Sequence, residues 1–167
     1  MKRILARART PKTGYFRLFI AYIMTILIIV NTSISFADTI SDLVPLIIQA
    51  ESSGNPNAYN KEGSYGLMGI TRKIFEEYRN FQLKNTDVPC FDWEYSKFHE
   101  QYNICCGSWY LRKIQSWLPK EYKESKAHIV ASYNMGFSKF KSMGFKVPKK
   151  HRNKIYNEVY KEYWRNK

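Results

Sequence analysis

The chain has 167 residues, with 27 Lys and Arg against 14 Asp and Glu, a formal charge of +13. A hydrophobic share of 44% that includes four Trp, thirteen Tyr and ten Phe excludes a disordered basic tail, and the length suits one domain with room for an appendage. Such a positive excess raises nucleic acid or a membrane as partners, because Lys and Arg neutralise phosphates; where the charge sits along the chain decides between them.

Residues 1–17 carry Lys2, Arg3, Arg7, Arg9, Lys12 and Arg17 and no acid, and residues 18–30 follow as an apolar run without a charge. Thirteen apolar residues fit the core of an export signal and fall short of the roughly 20 that a spanning helix needs. Ser35 and Ala37 put small side chains at the −3 and −1 positions of a cleavage site after Ala37. Residues 1–37 are therefore predicted to be a signal peptide, and the protein to be exported to a periplasm. An uncleaved signal would leave it tethered to the membrane, and the abrupt basic flank disfavours a buried core helix. Without the six basic groups of the signal, 130 residues remain with 21 basic and 14 acidic groups, a charge of +7. A domain of this size buries about two-thirds of its unfolded surface and can hold a core without disulfides. Cys90, Cys105 and Cys106 suit an oxidising compartment but are odd in number. A bond from Cys90 to one of the vicinal pair would close a loop of about fifteen residues and contribute on the order of 3 kcal/mol, leaving one thiol free. The absence of C-x-x-C argues against a zinc or thioredoxin-like site.

In the mature region, Thr39 or Ser41 is expected to cap a first helix, with Pro45 in its opening turn and Leu43, Val44, Ile47, Ile48 and Ala50 on its buried face. Ser52-Ser53-Gly54-Asn55-Pro56 should end it, because Gly closes helices and the residue before Pro avoids the helical region. Glu51 then lies on the last turn, at the negative end of the helix dipole, an unfavourable place for an acid unless it keeps its proton. Residues 55–69 form a loop rich in Gly, Asn and Ser, with Gly63, Gly66 and Gly69 at three-residue spacing and no G-K-[ST] of a phosphate loop. Thr71 could cap a helix over 72–83. A long helix over 97–118 carries Ile104, Gly107, Ser108, Leu111, Ile114 and Leu118 on one stripe, whose small residues would admit another helix, and Pro119 ends it. A helix over 121–134 ends at Gly136, and a basic, Tyr-rich helix over 149–165 places Ile155, Val159 and Tyr163 at four-residue spacing. No β-hairpin alternation is visible. The mature chain is predicted to be an all-α, compact helical domain.

Metal and nucleophile chemistry fail on spacing. His99-Glu100-Gln101-Tyr102-Asn103 opens like a zinc-protease helix, but Asn103 stands where the second His must sit. His128 and His151 lack neighbouring ligands and are expected to be structural or surface residues. There is no G-x-S-x-G. No metal and no cofactor is predicted. What remains is one acid beside a polar, glycine-rich loop.

Glu51-Ser52-Ser53-Gly54-Asn55-Pro56-Asn57-Ala58, Gly63-Ser64-Tyr65-Gly66-Leu67-Met68, Asn103-Ile104 with Gly107 and Tyr110-Leu111, and Ala131-Ser132-Tyr133-Asn134-Met135-Gly136 resemble, in order and spacing, the four motif blocks of the soluble lytic transglycosylase (SLT) domain. The resemblance runs from about Ile40 to Gly136. It implies a goose-type-lysozyme-like fold with a substrate cleft, and cleavage of the β-1,4 bond between N-acetylmuramic acid and N-acetylglucosamine in peptidoglycan with formation of a 1,6-anhydromuramyl end. Glu51 is thereby implied as general acid and then base, with the sugar's acetamido group standing in for a second carboxylate. A raised pKa from a desolvated cleft is required.

The same resemblance implies that the Tyr133 hydroxyl bonds or orients the acid and that Asn134 holds the turn at Gly136. Leu67 and Met68 would floor the cleft for sugar faces, with Gly66 allowing close backbone approach. Asn60 stands where relatives carry a Ser near the acetamido group. Gly69 replaces a family Gln, from which reduced subsite affinity follows, together with the expectation that Gly69→Gln raises turnover. The tail from Lys146 to Lys167 is expected to be a solvated helix with a packed aromatic face, with docking onto cell-wall carboxylates or a partner protein as the lesser reading. Peptidoglycan strands are the expected partner, nucleic acid is not, and small members of this kind resemble those that open the wall for secretion, conjugation or pilus machines. A weakly active or non-catalytic wall-binding adaptor, and a lysozyme-type hydrolase, are the alternatives.

Overall fold

A computed structural model of the chain describes residues 38–85 and 92–167; the segment read as a signal peptide and Cys90 lie outside the described residues. The first helix, α1 (Asp38–Ser52), turns Ile40, Leu43 and Ile47 into the core at spacings of three and four. Thr39 and Ser41 lie within this helix rather than capping it, and Pro45 sits in its interior. Pro45 is on the exposed side of the helix, away from the packed face. The helix stops where the sequence predicts: Ser53 and Gly54 take φ of 53° and 82°, and the Asn55 N–H bonds back to the Ser52 carbonyl.

A loop shaped by Asn side chains follows. Asn55 Oδ1 accepts from the Asn57 N–H, and Asn60 Oδ1 accepts from the N–H groups of Glu62 and Ser64, all at 3.0 Å. It leads into a two-stranded antiparallel sheet, β1 (Ser64–Tyr65) and β2 (Ile70–Thr71), with Tyr65 opposite Ile70. The other described elements are helical, as expected of a mainly α domain, and two residues per strand are too few for alternation to register in sequence. Thr71 caps α2 (Arg72–Asn85) through its Oγ1, 3.4 Å from the Ile74 N–H.

The expected helix over 97–118 is present as one helix that begins three residues later, after a short helix that the sequence did not disclose. Asp92 caps the short α3 (Trp93–Ser96), and His99, with an extended backbone, caps α4 (Glu100–Trp117) by accepting from the Tyr102 N–H through Nδ1. Tyr102, Asn103, Cys106, Leu111 and Ile114 form its buried face. The expected helix over 121–134 is divided into a 3-10 turn (Lys120–Tyr122) and α5 (Lys126–Met135). Residues Ala127 to Ser132 of α5 are all buried, so this helix is the axis on which α4, α6 (Phe137–Ser142) and α7 (Lys154–Arg165) pack. His128 is structural: it stacks on Tyr122 with centroids 4.1 Å apart, bonds Ser125 Oγ at 2.7 Å, and burial lowers its pKa to about 4.

In α7 the buried positions are Tyr156 and Tyr160, one residue off the expected stripe; Ile155, Val159 and Tyr163 only flank it. Asn153 ties this helix to the first. Its Oδ1 caps α7 by accepting from the Ile155 and Tyr156 N–H groups, while its Nδ2 donates to the Ala50 carbonyl at 2.8 Å. The tail is thus part of the core, and not merely a solvated helix.

Asn103 is the polar centre of the fold. Its Oδ1 accepts from the Met68 N–H at 2.8 Å, and its Nδ2 donates to the carbonyls of Tyr65 and Lys97 at 2.9 and 3.2 Å. Three backbone groups of the loop and α3 are satisfied by one buried side chain. Asn103→Ala is expected to destabilise the protein by about 3 kcal/mol, because it strands all three; urea denaturation of the variant measures this, and a loss below about 1 kcal/mol would contradict the role.

Candidate active site

Glu51 sits half-buried on the last turn of α1, and its two carboxylate oxygens face different surroundings. Oε1 accepts a short hydrogen bond from the Tyr156 hydroxyl of α7. Oε2 lies on the Gly69 side, where a Cβ added to Gly69 would stand 3.0 Å from it. Burial raises the Glu51 pKa; the Tyr156 hydrogen bond pulls it down, and the nearby Glu62 charge pushes it up again. The raised pKa required of a proton donor is therefore present, and desolvation is its main cause.

Glu51 opens into a cavity of about 1120 Å³ that Asn60, Gly69, Tyr133 and Asn134 also line. Asn60 contributes from its turn, and Asn134 is exposed just before Gly136, whose φ is 81°. Glu62 and Glu77 share the cavity, with Glu77 held by Lys113 at 2.7 Å. Among the described residues there is no cluster of three His, Cys, Asp or Glu side chains that could hold a metal.

Three expected cleft residues do not line the cavity. Met68 is fully buried, packed into the space left by Gly107, where an added Cβ would meet Met68 Sδ at 2.4 Å. The small residue on α4 therefore admits a side chain and not a second helix. Leu67 is buried beside it. Gly66 does allow close approach, but of its own neighbours: with φ of 74°, an added Cβ would meet Asn103 Nδ2 at 2.3 Å and the Lys97 carbonyl at 2.5 Å. The apolar residues of this turn hold it in place from below, because their surfaces are spent on the core.

Tyr133 does line the cavity, but its hydroxyl donates to the Met68 carbonyl at 2.7 Å rather than to Glu51. The hydroxyl on the acid is that of Tyr156, which sequence reasoning missed. The available signal was Asn153 as a helix cap, with Tyr156 and Tyr160 as an alternative stripe. Trp117 and Phe137 were missed as well. Both line the cavity with ring centroids 5.1 Å apart, and Trp117 is 43% exposed, the usual condition of an aromatic face that receives a sugar. Among the described residues Cys105 and Cys106 are free thiols, and burial pushes the Cys106 pKa up, which makes it unreactive as a thiolate.

Comparison with protein families matches residues 37–156 to the transglycosylase SLT domain. No curated protein and no solved structure matches the chain significantly.

Two expectations follow from the geometry. Gly69 has φ of 61°, and its added Cβ would also stand 3.3 Å from Glu51 Cβ and Cγ. Gly69→Gln should therefore lower stability by about 1–2 kcal/mol and lower turnover, reversing the sequence-based expectation; a variant as stable as the parent and faster would refute this crowding. Tyr156→Phe removes a donor that favours the ionised carboxylate, so the Glu51 titration midpoint should move further up. Carboxyl NMR reads this directly, and an unchanged or lower midpoint would contradict the assignment.

Proposed function

Because the chain belongs to the transglycosylase SLT domain family, whose activity is of the peptidoglycan lytic transglycosylase type, we propose that it cleaves the bond between N-acetylmuramic acid and N-acetylglucosamine and closes a 1,6-anhydro ring on the muramyl sugar. The observation that carries this is the half-buried carboxyl of Glu51, raised in pKa by desolvation and opening on a glycan-sized cavity. Glu51 protonates the leaving 4-oxygen as the C1–O4 bond breaks, and the acetamido oxygen supports the developing positive charge at C1. As carboxylate, Glu51 then takes the proton of the sugar's own 6-hydroxyl while O6 bonds to C1. The proton count closes on one residue, and no water is consumed. Tyr156 holds one oxygen of the acid so that Oε2 faces the substrate, and Asn60 and Asn134 supply polar contacts to the sugar.

We further place this activity outside the cytoplasm, after export through residues 1–37, as local wall opening for the assembly of an envelope-spanning machine. The small size of the domain and the export-like N-terminus support that reading. Gly69 supports activity over an adaptor role, since a glycine there leaves Oε2 uncovered.

Digestion of purified sacculi separates the readings. The protein should release anhydro-ended muropeptides by mass, and Glu51→Gln should lose about a thousandfold in rate, as removal of a general acid does. Reducing ends would instead establish hydrolysis, and binding without product would establish an adaptor.

A further inference from the structure

The cavity carries more positive charge than proton transfer at Glu51 uses. Lys73 of α2 and Lys139 and Lys141 of α6 line it, and none is in an ion pair among the described residues. The acids beside them do not balance this: Glu77 is taken by Lys113, which leaves Glu62 and the acid itself. The two α6 lysines are also firmly mounted. Phe140 between them is fully buried, and Phe137, four residues before Lys141, joins Trp117 in the aromatic wall of the same cavity.

We propose that Lys139 and Lys141 form an anion subsite for the carboxylates of the peptide stems on peptidoglycan, so that the protein selects glycan that still bears stems. The inference rests on the functional reading above. Sugar rings present apolar faces and hydroxyls, which suit Trp117 and Phe137 but give a lysine no charge to meet. Stems extend from the muramyl lactyl group and carry free carboxylates well beyond the ring, where exposed cavity-edge lysines reach. A flexible point charge suits a partner of variable position better than a rigid fork would. Lys73, on another element of the same cavity, adds to the attractive field.

The test compares isolated glycan strands that carry stems with the same strands stripped by an amidase, which exchanges the distal carboxylates for one lactyl carboxylate beside the ring. For the wild type, kcat/KM should favour stem-bearing strands roughly fivefold, as two exposed ion pairs allow. The preference should shrink toward unity, through KM, in K139Q/K141Q and at high salt, and should invert in K139E/K141E. Binding of labelled strands by anisotropy should follow the same order without requiring turnover. Equal binding of both strands by the wild type, or a preference that survives K139E/K141E, overturns the subsite. Stem-dependent binding without any anhydro product would support the subsite and overturn the catalytic reading.

Discussion

The amide of Met68 is held by the Asn103 side chain at 2.8 Å and its carbonyl by the Tyr133 hydroxyl at 2.7 Å, while its side chain fills the space beside Gly107. One residue is thus fixed from three directions by α4 and α5. The next residue is Gly69, which lies against Glu51, so the position of the cavity wall over the acid is inherited from Met68. Neither Asn103 nor Met68 reaches the cavity, yet a shift in either would move the surface that the substrate meets. In a densely packed interior such displacements are transmitted rather than absorbed. The loop needs this external support because it has almost no regular structure of its own: two strands of two residues and a few Asn-capped turns.

The carboxyl of Glu51 is governed by opposing influences whose order matters. Desolvation is the larger and favours the protonated form; the Tyr156 hydroxyl works in the other direction by stabilising the charged form. The reaction proposed for Glu51 asks it first to give a proton and then to accept one, and such a group needs both. Burial alone would make a carboxylate too unfavourable to form, and a strong donor alone would make the acid ionise before the substrate arrived. Tyr156 remains a donor throughout, because burial and the Glu51 charge hold its own pKa far above the physiological range.

The helical character, the end of α1 and the position of Glu51 on its last turn were legible because they rest on local chemistry: apolar spacing, then Ser53, Gly54 and Pro56 as a stop. The resemblance to the family rests on short blocks of this kind. The start of α4 and the break before α5 were less legible, since His99 and Ser125 are caps only by virtue of backbone angles that many residues could adopt. Tyr156 was harder still. It lies 105 residues from Glu51, and its helix offers two apolar stripes one residue apart, between which only the packing of α7 on α5 decides. Met68 misled for a different reason: an apolar residue in a cleft motif suits a sugar-facing floor and a core equally, and the deciding fact is the missing side chain at Gly107.

The distance in sequence between Glu51 and Tyr156 also has a meaning in time. A chain is made from its N-terminus, so α1 exists long before α7 does, and until α7 arrives the acid lacks both the Tyr156 hydroxyl and the Asn153 bond to Ala50 beside it. In that interval Oε1 of Glu51 has no hydroxyl to hold it. Docking of the last helix is therefore the event that completes the surroundings of the acid. The site cannot be assembled from the N-terminal part of the domain alone, and its geometry is reached only when folding closes.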